Sequence, residues 1–301
     1  MRMLRLLGAV LVGLVTGLVA GCGGAGVTSS GEPADAIQRV VLLPPKPVER
    51  TALRWRDVAG GLYSRAFRQS FSYGNTSVSS VSVEWPGQAP IFRGTLTATR
   101  VKPNFAYQMK LVGRTNITTV DSPPPTAGPA EWASWQLGHA GRWWCVNDGW
   151  NVSDADLASH LAQGHYVLGY LLLGFFITDP EGMAVKPFRL NSTYHVLWRT
   201  DQRARQPNDS RPVRYDIIRG AWGYDLAHPR PGEHVEVYAE WEPNRPVPGQ
   251  VRLPDGRYTV LFNITEESFH DNLGNPVPHG GFWAQVLEGP IKFRIVGAVS
   301  G

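Results

Sequence analysis

No stretch of this chain beyond residue 51 carries a long 3.6-residue apolar period. Short runs rich in Val, Thr, Tyr and Phe recur instead, and Gly, Pro, Asn and Asp interrupt them throughout a sequence with 33 Gly and 24 Pro in 301 residues. Gly costs backbone entropy inside a helix, and Pro removes a donor and clashes with the preceding turn. A chain broken this often suits short strands joined by turns, so the pattern predicts an all-β, antiparallel architecture.

The strands can be placed one by one. Val78–Trp85 puts Val81, Val83 and Trp85 on one face and stops at Pro86-Gly87. Ile91–Thr99 and Phe105–Val112 follow. Tyr166–Thr178 is almost continuously apolar, as expected of a strand buried on both faces. Asp179-Pro180-Glu181-Gly182 is a turn signal, and Met183–Trp198 is predicted to return as the partner strand. Further strands are predicted at Val235–Trp241, Arg257–Thr265, Phe282–Leu287 and Ile291–Val296.

Two segments, Val101-Lys-Pro-Asn-Phe-Ala-Tyr107 and Leu253-Pro-Asp-Gly-Arg-Tyr258, keep three residues between Pro and Tyr just before a predicted strand. Each resembles the L-x-P-x-x-x-Y approach to a late strand in fibronectin III-like and immunoglobulin-like sandwiches. There the tyrosine hydroxyl bonds back to the backbone a few residues upstream. The first segment has Val in place of Leu, and in the second Leu253 directly precedes Pro254. The resemblance implies an antiparallel immunoglobulin-like β-sandwich and no particular activity.

The N-terminus supplies an address. Arg2 and Arg5 precede an uncharged, mostly apolar run, Leu6–Val19, that ends in Val19-Ala20-Gly21-Cys22. This run falls short of the roughly 20 residues that a helix needs to span a bilayer, and a cysteine follows the small residues. The segment resembles the lipobox of bacterial lipoprotein precursors. That resemblance implies that residues 1–21 are a signal peptide and that Cys22 carries diacylglycerol and an acylated amine. The mature protein is then an exported, membrane-anchored lipoprotein of the cell envelope. Gly23 in place of Asp favours the outer membrane if the cell has one. Loss of Arg2 and Arg5 takes the basic residues from 29 to 27, against 25 acidic ones, too near neutral to suggest nucleic acid. Cys145 is then the remaining thiol, so no intramolecular disulfide forms and the fold must rest on its core.

Residues 22–50, Gly/Ser-rich and then Pro-rich, read as a tether, with Ile37–Leu43 as an alternative docked edge strand. Residues 51–301 read as one composite β-sandwich domain with a Trp-rich insertion at about 116–165. The insertion holds the one predicted helix, a short one with Ser153 as cap, Asp156 at the capping-box position, Leu157 and Leu161 on one face, and Gly164 at its end.

Trp132, Trp135, Trp143, Trp144 and Trp150 crowd the insertion, with Arg142, Asn147 and Asp148 among them. The rings could form a platform for sugars with Arg142 beside it, a satellite core beneath a long loop, or a protein-contact surface. Cys145 and His139 do not establish a thiol nucleophile, and Cys145 reads as a buried, inert thiol. His160 and His165, five apart, do not share a helical face as an i, i+4 metal pair would. Glu266, Glu267, His270 and His279 are better but weak metal candidates that loop polarity explains equally well, and neither a metal nor a cofactor is expected. Arg199, Arg203, Arg205, Arg211 and Arg214 make a basic loop or a patch for an anionic surface. P-loop, G-x-S-x-G and H-E-x-x-H patterns are missing from the sequence. The reading is a lipid-anchored, non-catalytic protein with a binding or envelope-structural role, its partners a membrane and a polysaccharide or envelope protein. A surface glycan-binding module and an exported hydrolase are the alternatives.

Overall fold

The computed structural model describes residues 36–45, 55–75, 77–121, 127–191, 194–197, 213–241, 251–267 and 283–297. The leader, Cys22 and the Gly/Ser part of the expected tether lie outside them, as do residues 199–212 of the basic loop.

Antiparallel pairing dominates. One sheet joins β1 (Ile37–Val41), β2 (Ser80–Pro86), β4 (Arg93–Thr99) and β9 (Ala184–Arg189) in that order. A second, seven-stranded sheet begins with β3 (Gln88–Ala89), β14 (Trp283–Ile295) and β13 (Gly256–Glu267). It continues through β5 (Ala106–Val112), β8 (Val167–Ile177), β6 (Arg142–Cys145) and β7 (Trp150–Val152). A small third sheet runs β10 (Tyr194–Leu197), β12 (Glu233–Trp241), β11 (Val213–Ile217). Side-chain alternation explains how the two larger sheets meet. Val81, Val83 and Trp85 of β2, Leu96 and Ala98 of β4, and Phe188 of β9 share one core with Tyr258, Val260, Phe262 and Ile264 of β13. Phe188 lies 5.5 Å from Phe262, and Trp85 donates its Nε1–H to the Lys292 carbonyl at 2.9 Å.

The all-β expectation holds at this level, and the structure departs from it in five places. Residues 36–45, expected within the tether, belong to the body: β1 pairs with β2, and Leu42 is 1% exposed. The segment after the Asp179 turn does not pair with β8, which has β5 along one edge and β6 beside residues 167–170 of the other. It splits into β9, which crosses to β4, and β10, which pairs with β12. Pro187 lacks a ladder donor, which an edge strand such as β9 tolerates. The expected pair at 282–296 is one strand, β14, running through Gly289-Pro290. Residues 116–165 are no separate insertion, because they supply β6 and β7 to the seven-stranded sheet. Three helices occur among the described residues instead of one: α1 (Arg65–Ser70), α2 (Pro129–Ala140) and α3 (Leu157–Ala162).

Tyr258 donates its hydroxyl to the Pro254 carbonyl, four residues upstream, at 2.8 Å. Tyr107 is used differently. Its hydroxyl accepts the Lys102 backbone N–H at 3.1 Å and lies 2.9 Å from the Tyr73 hydroxyl. Tyr73 in turn donates to Glu266 at 2.5 Å, and Glu266 is ion-paired with Lys102, both side chains fully buried. Burial raises both tyrosine hydroxyls well above their ordinary range, so they stay neutral donors. The Lys102 ammonium also lies 4.5 Å from the Trp55 ring centre and 5.1 Å from that of Phe105. Glu266 is therefore committed to Lys102 and is not a surface ligand for metal. The Glu267 side chain, His270 and His279 lie outside the described residues.

Removing one partner of such a pair leaves an uncompensated charge. Lys102→Met should cost about 3–5 kcal/mol in a urea unfolding titration, and Lys102→Met/Glu266→Gln should recover most of that loss. Equal loss in both variants would mean that packing around Lys102, not its charge, stabilises this region.

Candidate metal centre

The site begins with the alternation of β6. Trp143 and Cys145 both point inward and are fully buried. Their cross-strand partners are Gly169 and Val167 on β8, and Val152 and Trp150 on β7. Gly169 is what admits α2 here. A Cβ on it would come within 1.9 Å of the Ser134 carbonyl oxygen, and one on Gly138 would meet the Trp143 ring at the same distance. Ile117, Trp143, Cys145, Val152, Leu157 and Val167 then form a small core of their own, with Leu161 against it.

Four polar side chains converge at one end of this core. The turn from β6 to β7 carries Asp148 and is closed by the Gly149 N–H donating to the Cys145 carbonyl at 3.0 Å. Gly149 stands at φ +70°, a conformation that favours glycine. The turn is also tied to the chain before β8, since Asn147 Oδ1 accepts the Tyr166 N–H at 2.6 Å. His160 projects from α3. Gly164, at φ +73°, ends that helix where expected and reverses the chain. The His165 N–H consequently donates to the His160 carbonyl at 3.0 Å, and the two imidazoles become neighbours although five residues apart.

The ligand atoms of Cys145, Asp148, His160 and His165 all lie within 4.8 Å of one another. His160 Nδ1 is 3.1 Å from His165 Nδ1, and His165 Nδ1 is 3.6 Å from Cys145 Sγ. One carboxylate oxygen, Asp148 Oδ2, is 3.2 Å from His160 Nδ1 and 3.4 Å from His165 Nδ1. Tetrahedral zinc, with bonds of about 2.0–2.3 Å, sets its ligand atoms roughly 3.3–3.6 Å apart. One thiolate, two imidazoles and one carboxylate suit that class of ion. Burial raises the Cys145 thiol pKa, as does the adjacent Asp148 carboxylate, while the backbone N–H groups of Asp148 and Asn147 favour the thiolate. A cation between sulfur and carboxylate would remove the unfavourable contact.

Sequence reasoning set these four residues apart. It paired Cys145 with His139, whose ring instead lies 3.8 Å from Trp135 and 5.2 Å from Trp143. It also judged His160 and His165 by helical spacing alone, whereas His165 lies past the helix end. The usable signal was Cys145-x2-Asp148-x11-His160-x4-His165. It follows the C-x2-4-C…H-x3-5-H ligand spacing of zinc sites, with Asp at the second cysteine position. The hairpin–helix order β6-β7-α3 is what brings such spacing together.

The tryptophans do not share one platform. Trp143 is enclosed and donates its Nε1–H to Asp154 at 2.8 Å. Trp144 alternates to the opposite face of β6, beside Asn151 and Leu168. Arg142 lies across from Tyr170. Trp132 packs 4.9 Å from Tyr258, and Trp135 is half-buried. Trp150, 70% exposed, stands in solvent at the hairpin end. No family model, no curated protein and no solved structure matches this chain.

The purified protein should take up one equivalent of Zn(II) or Co(II), with a thiolate-to-cobalt charge-transfer band in the Co(II) form. Cys145→Ala and His165→Ala should each abolish that uptake, whereas His139→Ala should leave it intact. Uptake that survives Cys145→Ala would exclude sulfur from the centre.

Proposed function

We propose that this chain is the precursor of a lipid-anchored, non-catalytic protein of the cell envelope. In this reading its body is an immunoglobulin-like β-sandwich whose 142–165 segment binds one zinc-class ion. The observation that carries the metal reading is the convergence of four ligand atoms of the right types within 4.8 Å. Four protein ligands complete a tetrahedral sphere and leave no position for substrate, which is the character of a structural rather than a catalytic site. The small core around Trp143 is the part of the fold that such an ion would brace.

The address comes from Val19-Ala20-Gly21-Cys22. Two or more acyl chains hold a protein stably on a bilayer, so Cys22 is the membrane attachment and the β body works in the adjoining water. The partner is then a polysaccharide or a protein of the envelope. Burial of Trp143 and the turning of Trp144 to the opposite face of β6 favour the metal module over a sugar platform as the role of the Trp-rich segment.

Two measurements test this reading. Cells fed labelled palmitate should label the wild type, and Cys22→Ser should be unlabelled and leave the membrane fraction. A labelled, membrane-bound Cys22→Ser would remove the anchor from the reading. Zn(II) at about 100 times its Kd should slow amide exchange of residues 143–167 by an amount equivalent to about 2.7 kcal/mol. The amides of β13 and β14 should be unaffected if their opening does not involve the module, and a chelator should reverse the effect. Equal protection with and without Zn(II) would separate the fold of this segment from metal.

A further inference from the structure

The four ligands of the centre are not equally held. Cys145 lies on a paired strand, fully enclosed. The backbone at His160 and His165 is tied by the His165 N–H bond to the His160 carbonyl, and their side chains are 25% and 23% exposed. Asp148 sits in the turn before Gly149, and its side chain is the most open of the four at 37%. Its carboxylate has the most open path into solvent by rotation about χ1, the imidazoles have less, and the enclosed Cys145 has none. Asp148 is also the hardest donor of the set, so it gains least from a borderline-soft ion.

We propose that Asp148 is the displaceable ligand of the centre, and that bound metal exchanges with the medium at this one position. The proposal rests on the metal reading above. Cys145, His160 and His165 form the retained tripod. The step is a ligand substitution: a bond forms between the metal and an incoming donor while the bond to Asp148 Oδ2 breaks. Nothing is oxidised or reduced, and an anionic donor requires no proton transfer. The incoming donor is a small monodentate anion or one arm of a chelating group. At rest the sphere is closed by four protein ligands. It opens on the solvent side, so an incoming chelating group enters at Asp148, and the ion leaves only when further arms of that group have replaced the three bonds of the tripod.

Co(II)- and Zn(II)-loaded protein tests this with azide and the chromogenic chelator 4-(2-pyridylazo)resorcinol. Asp148→Ala should still bind one Co(II), and azide should shift its visible spectrum at lower concentration than it shifts the wild type. Asp148→Asn, which keeps the side-chain volume, serves as the second variant if Asp148→Ala loses its native circular dichroism. Asp148→Cys should be insensitive to azide and should release zinc to the chelator roughly tenfold more slowly than wild type, because thiolate binds zinc better than carboxylate. Loss of uptake in folded Asp148→Asn, as complete as in Cys145→Ala, would overturn the proposal. So would equal release rates for wild type and Asp148→Cys. Failure of the wild type to bind Co(II) or Zn(II) would instead overturn the metal reading itself.

Discussion

Helix α2 lies closer to strand β8 than any residue but glycine permits, and the candidate centre stands on that contact. The Gly169 N–H donates to the Ser134 hydroxyl at 3.1 Å, and a Cβ on Gly113 would meet the same hydroxyl at 2.3 Å. Gly138 meanwhile lies under the indole of Trp143. Helix, sheet and indole thus interlock through positions without side chains, at the tight packing typical of protein interiors. This seat aligns β6 along the free edge of β8. Its inward residues, Trp143 and Cys145, then face the small core that carries α3. With any side chain at position 138, the Trp143 ring would have no room.

The buried charges elsewhere are handled by a different means. Asp57, fully enclosed, accepts the N–H groups of Ala59 and Gly61 through one oxygen, and Arg219 Nε and the Tyr224 hydroxyl through the other. Glu266 has Lys102 and Tyr73. In each case the fold supplies a cation of its own, and the buried group is satisfied. The Asp148 cluster has imidazoles, charged only when protonated, where the other two networks have Lys or Arg. Its carboxylate meets two imidazoles whose Nδ1 atoms face each other at 3.1 Å, with a buried thiol beyond. Two protonated imidazoles at that distance would repel, whereas two neutral ones can share a single Nδ1–H hydrogen bond. A metal ion meets all four donors at once. That contrast is what separates this cluster from the structural networks around Lys102 and Asp57.

What could be read in the sequence follows from the range of the forces involved. Alternation is local, so β2, β4, β5, β8 and β13 were placed within a few residues, and the Asp179 turn with them. Pairing partners depend on which edges are free. The segment after the Asp179 turn finds its partners in β4 and β12 instead of β8, a choice that no local pattern announces. Helix α2 escaped notice because its buried face is Ala133, Ser134, Leu137 and Gly138. Such a face is small rather than greasy, and it carries almost no apolar period. The centre was hidden for a related reason. Each residue was weighed with its nearest chemical neighbour, while the geometry depended on a hairpin, a helix and a left-handed glycine acting together. Asp in place of a second cysteine concealed the spacing.

In the proposed reading of this chain as an exported protein, Asp at position 148 has its own logic. Two cysteines at positions 145 and 148 would suit a zinc ion better, but in an oxidising compartment neighbouring thiols form a disulfide when the metal is away. A disulfide would consume both ligands and lock the turn. A single thiol beside a carboxylate cannot close on itself, and acylation would leave Cys22 without a thiol to offer. The arrangement gives up some affinity for a soft donor and retains a site that survives emptying. A centre that loses and regains its ion needs that property, whereas a permanent staple does not. The position of Asp148 on the open side of the sphere is consistent with the first role.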